Sequence, residues 1–182
     1  MLLYVIPMDI KKQKRLFIGF SISDDDGRAL IAHVKNSNPA LSPSIKWTID
    51  GNFHVTSHFL GETDEAAIPA ICEAMDNLVV DQKSTAIEVT KLANFPQGKA
   101  RLLAAYIAPN TLLTSIHQQL VSSHQQQAYL PHITLARGLA KTDKVQIEVT
   151  SYNLSLTHLL LYESFVIPTG APYKIVHKTA LF

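Results

Sequence analysis

Apolar and polar positions along the chain follow two different periods, which predicts a mixture of strands and helices. Short, β-prone apolar runs predict strands at residues 15–22, 45–49, 53–60, 85–93, 101–108, 130–137, 144–150, 154–165 and 173–179. Apolar residues three and four positions apart predict helices over 24–35, from Thr63 or Asp64 to about Val79, and over 111–126. Runs of strands separated by single helices favour an α+β chain over regular βαβ alternation.

Composition narrows the class of protein. The 182 residues are 47% hydrophobic, enough for a sizeable core, which excludes a disordered or collagen-like chain. A single cysteine, Cys72, excludes a disulfide scaffold. The 16 Lys+Arg against 15 Asp+Glu give a net charge of +1, which argues against coating long nucleic acid, because that requires many phosphates to be neutralised. Any contact with RNA or DNA must therefore be local.

The first residues predict a short extension ahead of the fold. Residues 1–14 place an apolar run before the basic residues Lys11, Lys12 and Lys14, the reverse of a secretory signal. We expect residues 15–182 to form a single domain, and the basic cluster to be either a solvated terminus or a contact to an RNA backbone. No run approaches the roughly 18 apolar residues of a membrane span, so we expect a cytoplasmic protein without membrane contact.

The candidate chemistry lies in a repeated local pattern. FHVT at 53–56 and PHIT at 131–134 each place a histidine and a threonine two residues apart in a predicted strand, with a β-branched residue between them. Because strand side chains alternate, His54 and Thr56 should share one face, as should His132 and Thr134. The 78 residues between the two histidines (132 minus 54) suggest two halves of one fold. The pattern alone leaves open whether these groups transfer protons or are core histidines bonded to a neighbour.

The longer segments FHVTSHFLGE (53–62) and LPHITLAR (130–137) resemble the two HxTx motifs of the two-histidine phosphoesterases. The resemblance is greater to their bacterial and archaeal RNA 2',3'-cyclic phosphodiesterase branch, also called 2'-5' RNA ligase. RLFIGF near the start, Trp47, and LYES at 161–164 are similar to that branch too. The resemblance implies an α+β fold of two pseudo-symmetric lobes, each an antiparallel sheet backed by helices, around a central cleft.

The same resemblance implies an activity and its residues. His54 would be the proton donor and His132 the proton acceptor in opening RNA 2',3'-cyclic phosphate ends to 2'-phosphomonoesters, with possible reversal as 2'-5' ligation. Thr56, Thr134 and Arg137 would bind the phosphate. We expect a monomer that needs no metal or cofactor. Two alternatives stay open: the same chemistry on a small cyclic phosphate such as one derived from ADP-ribose, and a non-catalytic module that binds RNA ends.

Some residues depart from the family pattern or offer rival sites. Regular alternation would put His58 on the face of His54, where it could line the cleft. We prefer the interpretation that His58 is a half-exposed structural histidine. The spacing of His54 and His58 is that of a zinc-binding pair on a helix, whereas this segment is predicted to be a strand. Cys72 is a candidate nucleophile, but it lies on an apolar helix face, where a buried free cysteine is common. Relatives often carry a tryptophan shortly after the arginine matching Arg101; here Tyr106 lies in that stretch. Structural or surface roles are expected for the remaining histidines, His33, His117, His124, His158 and His177.

Overall fold

The computed structural model describes residues 12–96, 102–121, 128–140, 142–165 and 173–182. In chain order the elements are β1 (Gln13–Ser21), α1 (Asp24–Ser37), β2 (Lys46–Trp47), β3 (His54–Asp64), a 3₁₀ turn (Glu65–Ala67), α2 (Ile68–Val79), β4 (Thr85–Phe95), β5 (Leu102–Ile107), α3 (Thr111–Leu120), β6 (His132–Arg137), β7 (Gln146–Leu156), β8 (His158–Ser164) and β9 (Tyr173–Ala180).

These bounds correct the sequence expectations in three places. β1 begins at Gln13, two residues before the expected Arg15, because Gln13 and Lys14 pair with Asp64 and Thr63 of β3. β2 is two residues long instead of five. The expected break at 151–153 is wrong, because β7 runs continuously to Leu156 beside β4. Residues 122–126 of the expected third helix, and residues 1–11, lie outside the described residues.

All described strand pairs are antiparallel, and they form one open sheet in the order β7-β4-β5-β6-β3-β1-β8-β9, with β2 beside β6. A single pair, Val55 with Ile133, joins β3 to β6. On one side of that pair the order is β3-β1-β8-β9, the first lobe; on the other it is β6-β5-β4-β7, the second lobe. β1-α1-β3 in the first lobe matches β5-α3-β6 in the second, so the expected pair of pseudo-symmetric lobes is confirmed.

The helices cover one face of this sheet, which we call the back face. Its core joins α1, α2 and α3 to β1 and β3 through residues such as Leu30, Met75, Ile116, Ile18 and Val55, none more than 1% exposed. The opposite, front face of the first lobe carries a separate small cluster formed by Phe17, Leu160, Tyr162 and Tyr173. The alternation within β1 therefore sends its aliphatic side chains to the helices and Phe17 to the front.

Local sequence signals fix how the helices begin and approach the sheet. Ser23 caps α1 by accepting a hydrogen bond from the Asp26 N–H at 3.1 Å, as the Ser-Asp start predicts. Gly27 lets α1 pass close to β3, because a Cβ there would lie 2.3 Å from the buried Phe53 ring. Among the described helices, none has the length and apolar character needed to cross a bilayer.

Candidate active site

A β-bulge follows the first His-x-Thr motif and decides which side chains of β3 face the front. In the β1–β3 register, Gly19 pairs with Thr56 and the next residue, Ile18, pairs with His58, so Ser57 is the extra residue. Beyond a bulge the alternation of faces restarts one position later. His58 therefore points to the back face beside Ile18, and the expectation that it shares the face of His54 is wrong. The same reversal excludes His54 and His58 as a metal pair.

A matching bulge follows the second motif. Ala104 pairs with Thr134 while Leu103 pairs with Ala136, which leaves Leu135 as the extra residue of β6. Strict alternation would place Arg137 on the face opposite His132. With the bulge, Arg137 pairs with Leu102 and returns to the front face. The structure thus brings Arg137 to the same face as His132 and Thr134.

The junction pair sets the two motifs side by side. Continuing the antiparallel register from Val55 and Ile133 puts His54 across from Thr134, and Thr56 across from His132. Both junction side chains are fully buried on the back face, so the two histidines and two threonines lie together on the front face. The described site is therefore an approximate two-fold arrangement of two imidazoles and two hydroxyls.

Both imidazoles are oriented by the same local hydrogen bond. The Nδ1–H of His54 donates to the carbonyl of Asn52 at 2.7 Å, and the Nδ1–H of His132 donates to the carbonyl of Leu130 at 2.8 Å. A carbonyl can only accept, so each Nδ1 carries a proton. Each Nε2 is left as the atom that can take up or release a proton.

Burial lowers the pKa of both histidines. Desolvation lowers the pKa of His54 to about 4, against a smaller raising effect of the Asn52 hydrogen bond, with His132 and Arg137 lowering it further. Burial also lowers the pKa of His132, with Arg137 adding to the effect and the Leu130 hydrogen bond opposing it. Without a bound anion, both imidazoles are thus favoured in the neutral form at pH 7.

Aromatic rings support each imidazole, and their roles were not anticipated from the sequence. The His54 ring centroid lies 5.0 Å from that of Phe17, 5.2 Å from that of Tyr173 and 5.6 Å from that of Tyr162. The His132 ring stacks on Phe95 at 4.0 Å. The alternation of RLFIGF could have assigned Phe17 to the face opposite its aliphatic neighbours, but the partners from β4, β8 and β9 required the sheet order.

The threonine side chains have the character of ligand-binding groups. Thr56 and Thr134 are partly exposed on the front face, and neither hydroxyl has a hydrogen-bond partner among the described residues. Arg137 is exposed on the same face, and its charge acts on both histidines. The front face therefore offers two hydroxyls and one guanidinium around two Nε2 atoms, a set suited to an oxyanion.

The other residues singled out from the sequence lie elsewhere. Cys72 is on α2, where burial raises the pKa of its thiol, so it is a poor nucleophile at neutral pH. The His177 Nε2 lies 2.7 Å from the Asp76 carboxylate, in an exposed structural contact. His124, Arg101 and Lys11 lie outside the described residues. Within the described ranges, no three His, Cys, Asp or Glu side chains are grouped so that they could hold a metal ion.

An open antiparallel sheet with paired His-x-Thr motifs on one face is the architecture of a two-histidine phosphoesterase, and comparison with known proteins agrees. The sequence model of the LigT like phosphoesterases matches residues 22–104. The RNA 2',3'-cyclic phosphodiesterase of Thermotoga maritima is 26% identical over 144 residues, 72% of this chain and 77% of that protein. Its namesake from Methanocaldococcus jannaschii is 24% identical over 178 residues, 90% of this chain and 99% of that protein.

Solved structures give the same fold. A protein of Thermus thermophilus superposes with a TM-score of 0.74 at 21% identity, over 92% of this chain and 97% of that chain. E. coli LigT in its apo form gives a TM-score of 0.73 at 18% identity, over 93% of this chain and 98% of that chain. Residues 22–104 of the chain thus match the LigT like phosphoesterase family, and the chain has the fold of E. coli LigT.

Proposed function

We propose that this chain opens 2',3'-cyclic phosphates at RNA ends and leaves a 2'-phosphomonoester, by acid–base catalysis that requires no metal. The observation that carries the proposal is the pair of front-face imidazoles with Nδ1 fixed by a backbone carbonyl and Nε2 left for proton transfer. The two relatives named RNA 2',3'-cyclic phosphodiesterase support the same activity.

The reaction needs two proton transfers on opposite sides of one phosphorus. His132 Nε2 takes a proton from the attacking water as its oxygen bonds to phosphorus. His54 Nε2–H gives a proton to the 3' oxygen as the bond from phosphorus to that oxygen breaks. Each such transfer contributes about 10²–10⁴-fold to the rate. In the reverse direction, the same two groups would join a cyclic phosphate end to a 5'-hydroxyl as a 2'-5' link.

The remaining front-face groups fit the charge that develops. The Thr56 and Thr134 hydroxyls, which have no hydrogen-bond partner among the described residues, are available to donate to the phosphoryl oxygens, and the Arg137 guanidinium adds charge assistance. Arg137 lowers the pKa of both histidines while no anion is bound. A phosphate between them would reverse this effect, because its negative charge favours the protonated imidazole.

A nucleotide substrate is supported by aromatic side chains on the same face. Phe59 pairs with Phe17 on the front face, two β1 positions beyond the Gly19–Thr56 pair, and is 67% exposed. On the second lobe Tyr106, which pairs with His132, is partly buried and has the Lys91 ammonium 4.5 Å above its ring, so this side supplies a cation and Phe59 is the ring open to a base. Exposed aromatic faces bind unpaired bases by stacking, and a nearby cation suits the phosphate backbone.

The test is turnover of an oligonucleotide ending in a 2',3'-cyclic phosphate, with and without EDTA, and with the product identified as a 2'- or 3'-phosphate. We expect EDTA-resistant formation of the 2'-phosphate, and a loss of at least about a hundredfold in His54→Ala and in His132→Ala. His33→Ala, an exposed histidine on α1, is the matched control and should keep full activity.

Three results would contradict the proposal in different ways. EDTA-sensitive turnover would overturn the metal-free mechanism. Faster turnover of ADP-ribose cyclic phosphate than of the oligonucleotide would move the substrate class to small nucleotides. Saturable binding of the oligonucleotide without any product between pH 6 and 8 would make the chain a binding module.

A further inference from the structure

β3 and β6 stop pairing with each other at their bulges. Beyond that point the free edge of β6 is paired with the segment of β2 and Thr48. β3 and β6 separate after the Val55–Ile133 pair, which exposes the carbonyls at the second bulge. Thr48, directly after β2, covers both: its Oγ1–H donates to the Thr134 carbonyl and its N–H to the Leu135 carbonyl, each at 2.8 Å. The second motif is therefore held by an added strand.

At the equivalent position β3 is held by side chains instead. The Tyr129 O–H donates to the Thr56 carbonyl at 3.1 Å, and the His117 Nδ1–H donates to the Ser57 carbonyl at 2.7 Å. These carbonyls correspond to those of Thr134 and Leu135 under the two-fold relation of the lobes. The two donors thus do for the first motif what Thr48 does for the second.

The donors are arranged as one unit that spans the lobes. The His117 and Tyr129 rings are stacked, with centroids 4.1 Å apart and planes inclined by 8°. His117 comes from α3 and Tyr129 from the segment before β6, so both belong to the second lobe while the carbonyls belong to the first. Burial raises the pKa of Tyr129 to about 12, which keeps its phenol protonated as a donor.

The bulge itself is sealed from solvent. Ser57 is 2% exposed, and its Oγ is buried. Water is therefore a poor substitute for either donor at this position. Removing one of them would leave a buried carbonyl unpaired, and the bulge would relax toward another geometry.

We propose that the stacked His117–Tyr129 pair is a positioning device, which holds the bulge of β3 so that His54 and Thr56 face the groups of the second motif. Tyr129 lies three residues before His132, and the Leu130 carbonyl between them orients the His132 ring. One short segment thus positions both imidazoles. The kinetic consequence rests on the proposed function, whereas the geometric one does not.

The test combines isosteric variants with two measurements. Tyr129→Phe and His117→Phe keep the rings but remove one donor each, whereas His117→Asn keeps an N–H near the position of Nδ1. Tyr152→Phe, on the outermost strand β7, is the control for loss of a phenol. The measurements are kcat and KM on the cyclic-phosphate oligonucleotide, and the NMR shifts of the His54 imidazole nuclei in the free protein.

We expect Tyr129→Phe and His117→Phe each to lower kcat by about ten- to a hundredfold with KM within about twofold, because a misplacement of about 1 Å is enough for a hundredfold loss. The double variant should lose little more than either single one, and His117→Asn should recover most of kcat. The His54 shifts should move in both Phe variants and stay unchanged in Tyr152→Phe. A fall in Tm with kcat and the His54 shifts unchanged would overturn the proposal.

The two proposals fail in distinguishable ways. If the wild-type chain turned over no cyclic phosphate, the proposed function would be wrong, and the NMR comparison would still decide whether the pair positions His54. If activity were present and the His54 shifts were insensitive to both Phe variants, only the positioning role would be refuted.

Discussion

A bound cyclic phosphate should convert His54 from a neutral to a protonated residue. Without a bound anion, burial lowers the pKa of His54 to about 4, so only about one molecule in a thousand carries the proton at pH 7. One negative charge about 4 Å from the imidazole contributes about 4 kcal/mol at an effective dielectric constant near 20. At about 1.4 kcal/mol per pH unit, that charge raises the pKa of His54 from about 4 to about 7.

The measurement uses the His132→Ala variant with a nucleoside 2',3'-cyclic phosphate. The variant should not turn the ligand over, and the ligand keeps one charge across the pH range, so His54 is the titrating group of the site. NMR titration should show that the pKa of His54, which burial lowers in the free variant, rises by about three units in the complex. Calorimetry at pH 5.5 in buffers of different ionisation enthalpy should show uptake of about one proton per bound ligand.

Linkage gives a second, independent check. Because the ligand favours the protonated form of His54, its affinity should fall about tenfold for each unit by which the pH rises between the two pKa values of His54. Outside that range the affinity should be constant. The double variant that also carries His54→Gln should show neither proton uptake nor this slope. Binding at pH 5.5 without proton uptake, or an unchanged His54 pKa in the complex, would refute the assignment of His54 as the proton donor.

Three further outcomes follow from the structure. Between pH 6.5 and 4 His54 is protonated in the unfolded chain but stays neutral in the folded chain. The free energy of unfolding should therefore fall by about 3 kcal/mol as the pH drops through that range, and urea unfolding should show a smaller fall in His54→Gln. Gly27→Ala should lower the free energy of unfolding by about 1–2 kcal/mol, because overpacking against Phe53 exceeds the gain in helix propensity; an increase would contradict the close approach of α1 to that ring. Phe59→Ala should raise KM about tenfold for an oligonucleotide and leave KM for the mononucleotide unchanged.

The sequence predicted the elements that have strong local signals. The His-x-Thr alternation correctly placed His54 with Thr56 and His132 with Thr134, because no bulge falls within either motif. The Ser-Asp start of α1 was read correctly for the same reason: a cap is a contact between near neighbours. Features defined within three or four residues were therefore within reach.

Features that depend on strand pairing could not be predicted from the sequence. His58 was assigned to the wrong face because the Ser57 bulge is visible only in the register with β1. Arg137 was assigned to the site by family resemblance, although strict alternation would have excluded it. His117 was expected to be a structural or surface residue, and its contact with the Ser57 carbonyl joins positions 60 residues apart. Such contacts are set by the sheet order, which no single segment encodes.

The two bulges have a consequence for how this site can change during evolution. Each bulge divides its strand in two. The first part carries the His-x-Thr pair, and the bulge decides which side chains of the second part point to the front face. Insertion or loss of one residue at Ser57 or Leu135 would exchange front and back for every later position in that strand while leaving the histidines in place. A single-residue length change can thus replace front-face groups such as Phe59 and Arg137 while His54 and His132 keep their places.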